Sequence, residues 1–591
     1  MNMIAHSPLR SPQQAFTRYA LPLKPLNCLL FSSIPKTFVQ SVDCLELWLV
    51  GTPRIWLSRR FKHVANSTIP QISIKPSRPK VRDLNPIFSV TFIGNGTSPL
   101  YTGKRNPLTS VVKKAIYTIM VSTHPAGVHT SASQYLPDSN SAVAQRSPNQ
   151  ELLPLTAGIN SHDCLEIGGC DVTKLVRQFG SPLYILDEQT LRTACRQYRD
   201  AFKRYYPGES QVLYASKAWS CLAVCAIAMS EGLGVDVVSG GELYTALEAG
   251  VSPDKLYLHG NNKSVAELIL AIESGCTIVV DNWQELHTLS GFAHKVTESP
   301  SQPIRIMLRL TPGIECHTHE YIRTGHLDSK FGFAPQALDE VFSFVSQQST
   351  LSCVGLHAHI GSQIFERQPH QDLSGVMVEW LDKATRYGLP VTELNVGGGL
   401  GIQYTEFDDP PSIEEWVKGI CEAIKNACVA KSLPLPKLLC EPGRSLIGSA
   451  CVTAYTIGSS KVVPGIRTYV AIDGGMSDNP RPITYQSVYR ALVANKMSAP
   501  LTQTVTIAGK HCESGDILIK ETHLPETKPG DILMVMGTGA YNYSMASNYN
   551  RLPRPAAVVV SGGEANLILQ RETYQDLIRQ DCLPARLKSQ V

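Results

Sequence analysis

The chain of 591 residues has no run of the roughly 18 to 20 apolar residues that a membrane-spanning helix needs, so the sequence gives no ground for a bilayer-spanning role. Close cysteine pairs are missing as well. The sixteen Cys are scattered singly, without the CxxC pairs of a zinc site or the dense spacing of a small secreted scaffold, which favours a reducing interior. Acidic residues are scarce in one stretch only: residues 1–119 hold 16 Lys plus Arg against three acids, Asp43, Glu46 and Asp83. The remainder therefore carries 38 bases against 47 acids, and an acidic body gives no support to nucleic-acid binding. With 43% hydrophobic and 18% charged residues, the chain as a whole reads as globular rather than fibrous or disordered, and the length suggests two or three folded units.

Residues 1–150 show no sustained period of 3.6 or 2 and are broken by frequent Pro and Ser, so no folded domain is expected there. Three readings of this extension stand open: a plastid-type transit peptide, basic and poor in acids; a disordered arm; or upstream sequence ahead of a true start at Met120. Residues 151–180 read as a lead-in that packs on the C-terminal domain. From 181 to 450, eight short apolar segments alternate with segments of helical period. The strand candidates are Val212 to Ser216, Gly234 to Ser239, Lys255 to Gly260, Cys276 to Asp281, Ile304 to Leu310, Cys353 to Ile360, Leu394 to Gly399 and Leu438 to Pro442. Eight such alternations point to an α/β fold, a parallel (β/α)8 barrel of the TIM type. Beyond 451 the long helical segments stop, and short strands between Gly, Pro and Asn turns predict an all-β domain over 451–591.

A barrel of this kind assembles its active site at the C-terminal ends of the strands, so the polar residues there belong together. Lys217 follows the first strand, where partial desolvation suits an amine to Schiff-base formation with an aldehyde cofactor. Alone it would more often be a surface charge. After the seventh strand, the glycines of Asn395-Val396-Gly397-Gly398-Gly399-Leu400-Gly401 allow backbone N–H groups to converge on a phosphate. After the eighth, Glu441-Pro442-Gly443-Arg444 offers a carboxylate that can keep a pyridine nitrogen protonated, which makes the ring a strong electron sink. After the sixth, His357-Ala358-His359-Ile360-Gly361-Ser362 offers an imidazole to lie against an aromatic cofactor and a hydroxyl to reach a phosphate. The competing reading, a metal held by His357 and His359 with His317 and His319, lacks an acidic or Cys ligand at a suitable spacing, and no metal is expected.

On these motifs the stretch from about Ser181 to Arg554 resembles the fold-type III, alanine-racemase-like decarboxylases that use pyridoxal 5′-phosphate, and within them the diaminopimelate-decarboxylase branch. The resemblance implies decarboxylation of meso-2,6-diaminopimelate to L-lysine. It implies that Lys217 holds the cofactor covalently, that His359 stacks on its ring, that Glu441 pairs with the ring nitrogen, that Ser362, Gly398 and Gly399 bind its phosphate, and that Gly443 and Arg444 also contact the cofactor. Asp236 and Arg309 match positions near the cofactor, though either could be structural. In the β domain, Cys512 matches the residue that reprotonates the substrate carbon, reaching the active site of the partner subunit in a homodimer. Tyr541 matches one that contacts cofactor and substrate. Arg444, Arg481 and Tyr485 match substrate-binding positions, with Glu513 taking the distal ammonium. An Arg holds a carboxylate bidentately, and ornithine or arginine has no distal carboxylate to offer. The rival readings are an ornithine- or arginine-type decarboxylase, a catalytically silent relative, and a racemase, which would place Arg rather than Glu441 at the ring nitrogen. The expected location is the cytoplasm, or the plastid stroma if the extension is a transit peptide.

Overall fold

The computed structural model describes residues 131–137, 146–292, 303–314 and 328–588, together with three strands further upstream. Those three, Cys44–Leu47, Ile55–Arg60 and Gln71–Pro76, pair in order as an antiparallel sheet. No strand was expected there. The signal is short: Ile72 and Ile74 alternate with Gln71, Ser73 and Lys75, a period of two too brief to stand out in a long window.

In the body, eight parallel strands close into a barrel. They are β1 (Ser210–Ala215), β2 (Gly234–Val237), β3 (Leu256–Leu258), β4 (Thr277–Val280), β5 (Ile304–Arg309), β6 (Leu351–His357), β7 (Glu393–Asn395) and β8 (Lys437–Cys440). All eight expected strands are present. Apolar runs buried on both faces pair in parallel because helices cover the outside. Two of those helices, Val265–Ser274 and Ile413–Lys431, start on capping boxes, Ser264 with Glu267 and Ser412 with Glu415.

Successive strand residues alternate between the barrel interior and the helix layer. Leu213, Tyr257, Val279, Met307 and Leu439 fill the interior as one buried cluster. Gly234, Gly355 and Glu393 stand in register with them on β2, β6 and β7. Two residues further along each strand the same face reaches the C-terminal mouth, at Ala215, Asp236, His259, Asp281, Arg309, His357, Asn395 and Glu441.

The second domain is a nine-stranded sheet that includes Cys451–Val463, Arg467–Ile472, Gln503–Ala508 and Ile532–Val535. It also takes a strand from before the barrel. Leu183–Asp187 runs antiparallel to Cys451–Val463 and parallel to Ala556–Ser561, so this segment belongs to the sheet and not, as expected, to the barrel. All five of its residues are buried, and a buried strand of either kind reads as the same apolar run.

The other boundary shifts too, because part of the segment before residue 150 is built into the body. Ala132 lies in the core beneath the sheet. Buried Asn149 donates from Nδ2 to the carbonyls of Gly401 (3.1 Å) and Pro411 (2.9 Å) and accepts from the Ser147 hydroxyl (2.7 Å). Its hydrogen bonds, not an apolar period, fix this strap. Asn149→Ala would strip the buried Gly401 carbonyl of its donor at about 1 to 3 kcal/mol, and the half-buried Pro411 carbonyl as well, so its urea midpoint is expected to fall clearly. Deleting residues 1–119 is expected to leave midpoint and activity unchanged, because the body's cores take no described residue before Ala132.

Candidate active site

Lys217 sits in the single turn Ser216–Ala218 that follows β1, and its side chain remains 41% exposed at the mouth. Its ammonium lies 3.3 Å from Oδ2 of Asp236, the last interior residue of β2. Burial disfavours the charge, but Asp236, Tyr541 and Glu441 outweigh it and raise the pKa above the ordinary lysine value. The ion pair with Asp236 thus favours the charged amine. The other carboxylate oxygen of buried Asp236 has no hydrogen-bond partner among the described residues.

Across the mouth, Glu441 is the most constrained carboxylate. Its Oε1 accepts from Asn395 Nδ2 at 2.7 Å and lies 2.9 Å from His259 Nε2, while Oε2 is 3.1 Å from His357 Nε2. Burial would raise its pKa, but the two imidazoles overcome this and hold it well below the usual carboxylate range. Burial pushes His357 down to about 4. His259, His357 and Glu441 have ligand atoms within 4.8 Å of one another and are the only described group that could hold a metal ion. His317 and His319, considered as ligands from the sequence, lie outside the described residues.

The glycine run curls over this layer. A Cβ on Gly398 would sit 2.2 Å from the Glu441 carbonyl oxygen, and Gly399 has φ +130°, so neither position tolerates a side chain. The N–H of Gly398 donates to Nδ1 of His359 at 3.2 Å, which places the ring proton on Nε2. Burial and the cation of Lys217 hold His359 well below its ordinary value, so it is a neutral ring.

Two guanidinium groups complete the pocket. Arg444 is 3% exposed; its Nε and one terminal nitrogen donate to the Ser362 hydroxyl (3.2 and 3.1 Å), and the other donates to Tyr404 (2.6 Å). Arg481 is 5% exposed, lies against the rings of Tyr485 and Tyr541 at 4.9 and 5.5 Å, and has an unpartnered Nε. Tyr541, at φ +68°, also lies 4.9 Å from the Arg444 guanidinium, and its backbone N–H donates to the carbonyl of Ala218 beside Lys217. Neither Arg has a carboxylate partner among the described residues, and a buried guanidinium without one is costly unless an anion comes to it. Arg309 lies 3.7 Å from Asp281 and covers the Phe331 ring.

The structure does not bring every expected residue to this mouth. Cys512 and Glu513 are exposed on a loop of the β domain, where the Cys512 N–H donates to Asn550. The loop itself is firmly based: buried Asp516 accepts from His511 Nδ1 (2.7 Å) and the Met476 N–H (2.7 Å). Sequence reasoning passed over His259, Asn395 and Tyr404. For the first two the barrel register was the available signal, since each stands two residues beyond an interior position.

Residues 188–448 match the family described as "Pyridoxal-dependent decarboxylase, pyridoxal binding domain". The chain is 66% identical over 454 residues to the diaminopimelate decarboxylase of Synechocystis sp., covering 76% of this chain and 96% of that protein. It is 46% identical over 439 residues to the diaminopimelate decarboxylase of Bacillus subtilis, covering 72% and 97%. Among solved structures, the diaminopimelate decarboxylase of M. jannaschii in co-complex with L-lysine is 31% identical with a TM-score of 0.68, covering 75% of this chain and all of that one.

Proposed function

The chain belongs to the diaminopimelate decarboxylases, and from that membership we propose that it converts meso-2,6-diaminopimelate to L-lysine and carbon dioxide, the last step of lysine biosynthesis, with pyridoxal 5′-phosphate attached at Lys217. The observation that carries the substrate assignment is the buried guanidinium of Arg481, which lies against Tyr541 and lacks any carboxylate of its own among the described residues. A substrate with a second, distal carboxylate supplies what it lacks.

The residues present suit the cofactor. Lys217 is an amine at the rim of the mouth, Glu441 is an ionised carboxylate facing into it, and Gly398 and Gly399 keep a side-chain-free backbone beside Ser362 and Arg444. In this reading Lys217 carries the cofactor, Glu441 holds a proton at its ring nitrogen, His359 lies against its face, and Ser362, Gly398, Gly399, Gly443 and Arg444 receive its phosphate. Asp236 keeps the lysine charged and placed. When bound, the cofactor supplies an electron sink for the pair left behind as carbon dioxide departs. Arg481 and Tyr485 hold the distal carboxylate and orient the D-configured centre, leaving Glu513 for the distal ammonium.

The proton that replaces carbon dioxide comes from Cys512. Its exposure on a braced loop, away from its own barrel's Lys217 network, suits delivery to the active site of a second copy, and we assign the enzyme as a homodimer with shared sites. The cytoplasm is the proposed location. Sequencing the N-terminus of the natural protein decides between a start at Met120, a cleaved transit peptide and a retained arm.

Carbon dioxide release from purified protein supplied with meso-diaminopimelate, L-ornithine or L-arginine tests the function directly. Release from the first alone is expected, and preference for ornithine or arginine overturns the substrate assignment. Borohydride reduction followed by peptide mapping is expected to fix the cofactor on Lys217, and its recovery on another lysine would remove that assignment.

A further inference from the structure

Glu441 does not hold its place unaided. It follows β8 directly, so its backbone is fixed, but a glutamate side chain has three rotatable bonds and in a buried pocket would need neighbours to set its plane. Three strands supply them. His259 follows β3, His357 ends β6 and Asn395 ends β7, and all three point to the one carboxylate. The two imidazoles are themselves in contact edge to face, with ring centroids 4.7 Å apart, and both residues are almost fully buried at 3% and 1% exposure. Asn395 is oriented in turn, because its Oδ1 accepts from the Gly397 N–H at 2.9 Å.

A carboxylate has about four in-plane acceptor sites. Asn395 and His357 donate to two of them, and the His259 imidazole stands against the same carboxylate with Nε2 2.9 Å from Oε1, which leaves acceptor capacity for an N–H donor. We infer that His259 and His357 are positioning residues that fix the plane and the ionised state of Glu441 so that its remaining acceptor site is offered to the ring nitrogen of the cofactor. His357 acts as a neutral donor through Nε2, since burial holds its pKa to about 4. This inference rests on the assignment of pyridoxal phosphate to Lys217, and it concerns binding rather than turnover.

The test compares two probes on the apo-enzyme: pyridoxal 5′-phosphate and its 1-deaza analogue, in which carbon replaces the ring nitrogen. Binding is followed by absorbance, and folding of each apo-variant by circular dichroism and thermal melting. Wild type is expected to bind the natural cofactor at least about tenfold more tightly, since a hydrogen bond to a carboxylate is at stake. His259→Phe and His357→Phe keep a planar ring but remove the ring nitrogen that faces the carboxylate, and should shrink that preference severalfold by weakening the natural cofactor while leaving the analogue nearly unchanged. His259→Gln and His357→Gln, which can place an amide N–H near the lost Nε2, should restore much of the preference. If the Phe variants do not fold, His259→Met and His357→Met carry the same comparison with a more adaptable side chain. Equal weakening of both probes would show the imidazoles to be merely structural and overturn the inference. Failure of wild type to bind either probe at Lys217 would instead strike the cofactor assignment itself.

Discussion

Lys217→Ala is expected to lower decarboxylation of meso-diaminopimelate by about four orders of magnitude or more, the scale seen when a covalent group central to an active site is removed. The change takes away both the attachment point of the cofactor and the cation 3.3 Å from Asp236, and no other described lysine lies against that carboxylate. Cys512→Ala is expected to be strongly impaired for a different reason, loss of the proton donor. Mixing the two inactive chains separates the sites from the subunits. If Cys512 serves the partner's barrel, half of the randomly formed dimers pair an intact Lys217 with an intact Cys512, once each. Activity should then return to about a quarter of wild type, as two-fold symmetry dictates. Subunit exchange is verified by capturing one tagged chain and detecting the other. Proven exchange without recovery would place Cys512 in its own subunit's site.

Arg481→Ala should cost about 2 to 4 kcal/mol of transition-state stabilisation, the value of a charge-assisted and bidentate contact, which is roughly a thirtyfold to thousandfold fall in kcat/KM. The loss should be selective. The Arg481 guanidinium is buried, raised above its ordinary pKa chiefly by Tyr489, Tyr404 and Tyr541 against the opposing effect of burial, and has no carboxylate partner of its own among the described residues. L-Ornithine offers it nothing to hold, so any residual turnover of ornithine should change far less. Measuring kcat/KM for both substrates in wild type and variant decides the matter. Equal losses would make Arg481 a structural residue.

Much of this site was legible in the sequence because its chemistry falls at strand ends, where a short apolar run stops and a polar residue follows. Lys217 after β1, the glycines after β7 and Glu441 after β8 are each found that way. His259 was not. It ends the same kind of run, but His-Gly-Asn-Asn carries no motif, and its importance appears only when barrel closure brings β3 beside the carboxylate of β8. Asn149 escaped for a related reason. One buried amide can anchor a strap through three hydrogen bonds, and hydrogen bonding leaves no periodic trace in a sequence. Leu183–Asp187 was not singled out as a strand and fell inside the span given to the barrel, since burial on both faces writes the same apolar run in a barrel and in the middle of a sheet.

That strand has a consequence for how the protein is made. Leu183–Asp187 leaves the ribosome before any barrel strand, yet its neighbour Ala556–Ser561 begins 369 residues later. At about 5 to 20 residues per second, one edge of a fully buried strand waits for roughly 20 to 70 s of synthesis before it is covered. The barrel between them can close in that interval, because its strands pair with near neighbours except where β8 meets β1. A ribosome stalled near residue 550 would therefore display a finished barrel beside an open, aggregation-prone edge, the kind of surface that chaperones shield during translation.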